Sequence, residues 1–144
     1  MKKFRDVDEI KVKLEEVNAL FEKGDLACFL YLSSYIEDRL KRNLMVHCLS
    51  EDRYSKEIEH YIFNLNLYNL IEISNLFGLI TKETYTDLEI YRKFRNELFH
   101  DAIFNEAIDR EYEKYYSLGC KIICELHDTG VEICDAITKK VDIS

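Results

Sequence analysis

The stretch from Arg95 to His100 contains the residue types that phosphodiester chemistry requires. An arginine guanidinium can hold a phosphate through two parallel hydrogen bonds, and a histidine imidazole can move a proton at neutral pH. Asn96 adds an amide that both donates and accepts hydrogen bonds. The sequence therefore predicts a place where a phosphate could be held beside a group that transfers protons.

Helix geometry sets a condition on this motif. At about 100° per residue, Arg92, Asn96 and His100 share one face of a helix. Arg95 lies about 140° from His100 around the same helix. The two side chains would meet at one phosphate only if the last turn unwinds or a second copy of the helix contributes, so the motif indicates a helix end or a two-fold axis. Ordinary surface residues, with the histidine favouring a helix C-terminus, are the simpler alternative.

The rest of the chain is typical of a helical scaffold. It has no proline and only four glycines among 144 residues, which favours long helices joined by short turns. Apolar periodicity predicts an all-α, single-domain antiparallel bundle of about five helices, at 7–21, 25–48, 56–77, 81–101 and 105–137. We expect a kink or break in the third helix near its asparagines and an irregularity at 127–130. Predicted core positions include Leu30, Tyr61, Tyr68 and Phe77.

The charge balance limits which nucleic-acid sites are feasible. A net charge of −8 argues against a broad phosphate-binding surface, because such surfaces depend on Lys and Arg contacts. Two short basic clusters remain, one in the second helix and one beside the motif. Short charge runs are usually solvated helix faces. The candidates for phosphate or RNA contacts within these clusters are Arg39, Arg42, Arg92 and Lys93.

The sequence gives less support to a disulfide framework, a metal site or a membrane location. The five cysteines are odd in number and scattered, so we expect reduced thiols. Cys120, Cys124 and His127 could present three metal ligands on one helix face, but no fourth ligand is evident and isoleucines lie between them. We therefore expect no metal and no cofactor. No apolar run approaches a membrane span, and no signal peptide is recognisable, so the expected location is the cytoplasm without a membrane partner.

The motif, together with the helix before it, resembles the HEPN superfamily of all-helical domains, whose hallmark is an arginine, usually a polar residue, and then a histidine a few residues later. The stretches 76–80 and 94–100 are also similar to a small stand-alone branch that includes mannitol-repressor-like proteins. This resemblance implies one HEPN-like domain over 1–144 and a two-fold homodimer. It also implies that Arg95 and His100 form the catalytic pair and that Asn96 is their supporting residue.

The implied chemistry is RNA cleavage without a metal. Attack of a ribose 2′-hydroxyl on the adjacent phosphate needs a base, an acid and a cation for the developing charge. A dimer would supply two copies of His100 and two of Arg95 at one site. Glu37 and Asp38 could supply a carboxylate that orients either residue, although solvent-facing helix pairs are the simpler interpretation of both. We therefore expect an endoribonuclease acting on RNA. Such an enzyme could be a toxin or defence effector that is inhibited by an antitoxin or another regulatory protein.

Two other functions remain open. One is a non-catalytic HEPN-type regulatory or interaction module of the mannitol-repressor-like kind, which the acidic composition favours. The other is an RNA- or nucleotide-binding domain that uses the same basic pocket without turnover. The intact set of Arg95, Asn96 and His100 favours the enzyme.

Overall fold

The computed structural model describes residues 3–101 and 112–143, and for 3–12, 99–101 and 136–143 it describes the backbone alone. These residues form a bundle of six helices and contain no strand. The predicted all-α class and helical bundle are confirmed. The helices are α1 (Lys3–Glu22), α2 (Ala27–Ser50), α3 (Lys56–Phe63), α4 (Leu67–Leu76), α5 (Lys82–Asp101) and α6 (Tyr112–Ile143).

The predicted third helix is two helices, because asparagine side chains end one and begin the next. Asn64 Nδ2 donates to the His60 carbonyl at 2.7 Å, at the end of α3. Asn66 Oδ1 accepts from the Asn69 amide at 2.8 Å and caps the start of α4. Asparagine competes well for such backbone groups at helix ends. The expected break near the asparagines is therefore present, and the count of five helices was one too low.

The break explains why several predicted core positions are wrong. Tyr61, Tyr68 and Phe77 are exposed by 62%, 50% and 54%. The apolar spacing predicts one buried face through 64–66, whereas the chain leaves the helix there, so the buried faces of α3 and α4 are set separately. Leu30 is also exposed, since it lies about 160° around α2 from the buried Leu32.

The last helix runs without interruption through the glycine that suggested an irregularity. A Cβ at Gly130 would lie 2.7 Å from Asn43 Oδ1, and Asn43 Nδ2 donates to the Leu126 carbonyl at 2.9 Å. Gly130 therefore lets α6 approach the buried Asn43, and the predicted irregularity at 127–130 is wrong. The predicted start of this helix near 105 lies outside the described residues.

The core forms around α2, which contacts α1, α3, α4 and α6, while α5 packs against α4 and α6. Tyr91 of α5 is fully buried, and its hydroxyl donates to the Phe29 carbonyl at 3.2 Å. Burial raises the pKa of this phenol. A Cβ at Gly119 of α6 would lie 3.0 Å from both Leu32 Cδ1 and Tyr91 Cε2, so α6 passes very close to both helices. The inward face predicted for α5 is confirmed by the buried Leu88, Tyr91, Phe94 and Leu98.

An ion cluster attaches the first half of α5 to α6. Lys121 Nζ lies 2.9 Å from Glu83 Oε1 and 3.0 Å from Asp87 Oδ2, both on α5. It also lies 3.6 Å from Glu125 Oε1, one turn further along α6. The hydrogen bonds to Glu83 and Asp87 raise the pKa of Lys121. The start of the helix that contains the motif is therefore held against α6.

No disulfide joins the five cysteines. Cys28 is buried, and desolvation raises the pKa of its thiol to about 11, whereas Cys124 is exposed. Within 3–101 and 112–143, none of the helices has an apolar stretch that would span a bilayer.

Candidate functional site

Arg95 lies at the edge of the core, beside the α5 residues that anchor the helix. Its side chain is 20% exposed, and its Nη1 donates to Glu37 Oε1 of α2 at 3.0 Å. The two residues are 58 positions apart in the chain, so this ion pair exists only because the fold brings α2 and α5 within side-chain reach of each other. Partial burial strengthens such a pair, since less water competes for the charges. Glu37 thus fixes one side of the Arg95 guanidinium.

The other side of the same guanidinium is poorly satisfied. Arg95 Nε is enclosed and has no hydrogen-bond partner among the described residues. Arg95 Nη2 makes a long contact of 3.5 Å with Oδ1 of the exposed Asn96. The Nε and Nη2 edge is the one through which arginine binds carboxylates and phosphates with two bonds. This edge therefore has spare hydrogen-bonding capacity.

The backbone of the motif is helical throughout. Helix α5 continues through His100 to Asp101, so its last described turn does not unwind. Of the two ways in which Arg95 and His100 could reach one phosphate, a second copy of the helix is the one that this backbone leaves open. The side chain of His100 lies outside the described residues.

The two basic residues just before Arg95 have different surroundings. Arg92 donates two hydrogen bonds to Glu89, at 2.9 and 3.3 Å. These hydrogen bonds are the main reason that the pKa of Arg92 is raised. Its guanidinium carbon also lies 5.2 Å from the centre of the Tyr68 ring. Lys93 is exposed to solvent. Arg92 is therefore built into the contact between α4 and α5, whereas Lys93 is a surface cation.

The structure does not bring the other predicted cations to Arg95. Arg39 and Arg42 lie about 160° and 140° from Glu37 around α2. Both line a small cavity of about 30 Å³ between α1, α2 and α6, together with Asp38. Arg42 Nε pairs with Asp38 Oδ2 at 3.0 Å. Of the two carboxylates considered as partners for the motif, Glu37 contacts Arg95 and Asp38 belongs to a different face.

Sequence reasoning missed two exposed aromatic residues that lie beside cations. Lys41 Nζ lies 6.0 Å from the centre of the Phe63 ring, and Arg92 lies over Tyr68. Phe63 is 47% exposed, close to the value for Tyr68. The asparagine-rich break was the signal that could have found Tyr68, because it removes this ring from the predicted continuous core stripe.

A cluster of three carboxylates lies elsewhere on the molecule. Within the described parts of the chain, Glu83, Asp87 and Glu125 form the one group of possible metal ligands whose atoms all lie within 4.8 Å of one another. The ammonium group of Lys121 contacts all three. The cluster is balanced by this lysine and is separate from Arg95, which lies two turns further along α5.

Four features thus describe the candidate site: an oriented guanidinium, its poorly satisfied bidentate edge, the neighbouring Asn96 amide, and His100 in the same unbroken helix. Their chemistry fits a bound phosphate. No family model, curated protein or solved structure matches this chain, so the interpretation of the site depends on these residues.

Proposed function

We propose that the protein is a HEPN-type, metal-independent endoribonuclease that acts as a homodimer. The observation that best supports the proposal is the state of the Arg95 guanidinium. Glu37 orients one side of it, while the edge suited to a phosphate lacks a strong partner. A positioned cation of this kind stabilises the charge that develops on phosphate oxygens during cleavage.

In the proposed reaction, His100 of one protomer removes the proton from a ribose 2′-hydroxyl. The 2′-oxygen then attacks the adjacent phosphorus while the bond to the 5′-oxygen breaks. His100 of the partner subunit gives a proton to the departing 5′-oxygen, and Arg95 holds the phosphate throughout. The products are a 2′,3′-cyclic phosphate and a free 5′-hydroxyl.

Helix geometry supports a shared site over one within a single chain. Because α5 stays helical to Asp101, the positions of Arg95 and His100 in one copy lie about 140° apart around the helix axis. A two-fold axis beside the C-terminal half of α5 would bring the same residues from two copies together. It would also provide the second imidazole that general acid catalysis needs.

Mixing the parent protein with a His100→Ala variant tests the shared site directly. If each site needs both imidazoles, an equal mixture after subunit exchange retains about one quarter of the cleavage rate of the same total amount of parent, because only parent homodimers are active. If each chain carried a complete site, the mixture would retain about one half of the parent cleavage rate. The rate is measured on a fluorescent RNA, with exchange verified by mass spectrometry of the intact dimers.

Product analysis supplies the companion test. We expect cyclic phosphate ends by mass spectrometry and an unchanged rate when a chelator is added. Linear phosphate ends, or loss of activity on chelation, would contradict the proposed mechanism. Failure of the parent to cleave any RNA from a broad pool would rule out the enzyme.

Glu37 is expected to act by positioning Arg95. Replacing Glu37 with glutamine keeps the shape and removes the charge, so we expect kcat to fall by about 10-fold, the scale on which residues behind a catalytic group act. The matched control is Asp38→Asn, which alters the Arg42 pair on another face and should leave kcat within about two-fold. Equal losses in both variants would show that Glu37 has no special role.

A non-catalytic binding or regulatory module is the second candidate. It is favoured by the net charge of −8 and by the carboxylates that already pair with Arg92 and Arg95. A cytoplasmic toxin restrained by an antitoxin is the biological role that we propose for the enzyme. Growth arrest on expression that disappears with His100→Ala would support the toxin, and arrest that persists would favour the module.

A further inference from the structure

Two half-exposed aromatic rings each have a cation over one face. Arg92 lies over Tyr68 at 5.2 Å, and Lys41 lies over Phe63 at 6.0 Å. Tyr68 and Phe63 are exposed by 50% and 47%. This exposure is what a ring shows when one face is covered and the other faces solvent.

The cation over each ring lies one helical turn from a member of the Glu37 and Arg95 ion pair. On α2, Lys41 is one helical turn from Glu37, which binds Arg95 at 3.0 Å. On α5, Arg92 is about one turn before Arg95. The turn at 64–66 joins the helix that contains Phe63 to the one that contains Tyr68. The two rings, on α3 and α4, therefore each lie beside a cation that is one helical turn from the Glu37 and Arg95 pair.

Unpaired nucleobases are the ligand that matches this surface. Every base has a flat face that stacks on an aromatic ring, and proteins that bind single strands combine such rings with cations that follow the backbone. Here Lys41 and Arg92 each lie over one ring, and Arg92 and Arg95 also pair with Glu89 and Glu37. A protein partner would not require flat faces beside a phosphate-binding guanidinium.

We propose that Tyr68 and Phe63 are stacking platforms for two unpaired bases of the RNA strand whose phosphate is held at Arg95. The inference rests on the part of the proposed function that places RNA at Arg95, and it adds the substrate class. Bases in a duplex are already stacked on their neighbours, so the platforms select single-stranded RNA.

Binding to a non-cleaving protein tests the platforms. A His100→Ala protein is titrated into a single-stranded RNA that contains the fluorescent base 2-aminopurine, whose emission is quenched on stacking. We expect quenching with the His100→Ala protein. We also expect affinity to fall by about 10-fold when Tyr68→Leu or Phe63→Leu is added, since one stacked base contributes that much. The same RNA in a duplex should bind weakly and respond to neither change.

The matched control is Tyr31→Leu. Tyr31 is also half-exposed and helical, but it lines a groove between α1 and α2. It should change neither affinity nor quenching. Equal losses in Tyr31→Leu and Tyr68→Leu, or equal binding of duplex and single strand, would overturn the platforms.

Two further outcomes separate the platforms from the enzyme. Suppose that the parent cleaves RNA but neither Tyr68→Leu nor Phe63→Leu changes KM. The platforms are then overturned, while the proposed enzyme is supported. If the parent binds and quenches the single strand but never cleaves RNA, the enzyme fails and the platforms stand. If either substitution converts dimers to monomers in sedimentation, the rings belong to the interface between two copies and the platforms are overturned.

Discussion

Replacing Arg95 with alanine is expected to lower RNA cleavage by about 10³-fold, because the loss of one positioned group that stabilises transition-state charge has effects of this size. Arg95→Lys should recover little of the rate. A lysine keeps the charge and can still reach Glu37, but it lacks the flat edge that binds a phosphate with two bonds. Single-turnover cleavage of a labelled RNA, under saturating protein, measures the chemical step in each variant.

The matched control for this prediction is Arg53→Ala. Arg53 is exposed in the loop between α2 and α3, and its removal changes the net charge by the same amount. We expect its rate to remain within about two-fold of the parent, because one surface charge contributes little to local chemistry. A parent-like rate in Arg95→Ala would remove Arg95 from the catalytic site.

Replacing Gly119 with valine should destabilise the fold by about 3 kcal/mol, at the upper end of typical overpacking costs. The valine Cβ would lie 3.0 Å from Leu32 Cδ1 and Tyr91 Cε2, and its two methyl groups would have to enter the same crowded space. The α2 and α6 contact is the largest in the bundle, so separating the helices is costly. Urea unfolding followed by circular dichroism gives the change in free energy.

The matched control for Gly119 is Ser117→Val on the exposed side of α6. It places the same branched side chain in the same helix without a neighbour to displace. We expect a change within about 0.5 kcal/mol, as for surface substitutions in general. A similar loss of stability in both variants would show that helix propensity, and not the close approach of α6, is responsible.

Much of the fold was predictable from apolar spacing. The inward face of α5 followed from regular spacing of Leu88, Tyr91 and Leu98, and all three are buried. Spacing failed where the chain leaves a helix, as at 64–66, because periodicity does not show how the next helix is rotated. It also failed at Gly130, since a glycine that ends a helix and one that permits close packing are identical in sequence.

The candidate site was predictable only in part. The residue types from Arg95 to His100 are visible in the sequence, and their chemistry follows from them. The choice between Glu37 and Asp38 depends on how α2 is rotated against α5, and adjacent residues differ by about 100° in that rotation. Tyr68 and Phe63 were missed because their exposure depends on the break between α3 and α4.

The three carboxylates around Lys121 have a consequence for how the motif can move. Sliding α5 along α6 by one turn, about 5.4 Å, would carry Glu83 and Asp87 out of reach of the ammonium group. Axial translation of α5 is therefore opposed at its start, while the motif lies near its other end. An incoming strand or a second protomer would therefore meet α5 at a fixed axial position relative to α6. The motif residues would adjust to either one by rotation of their side chains.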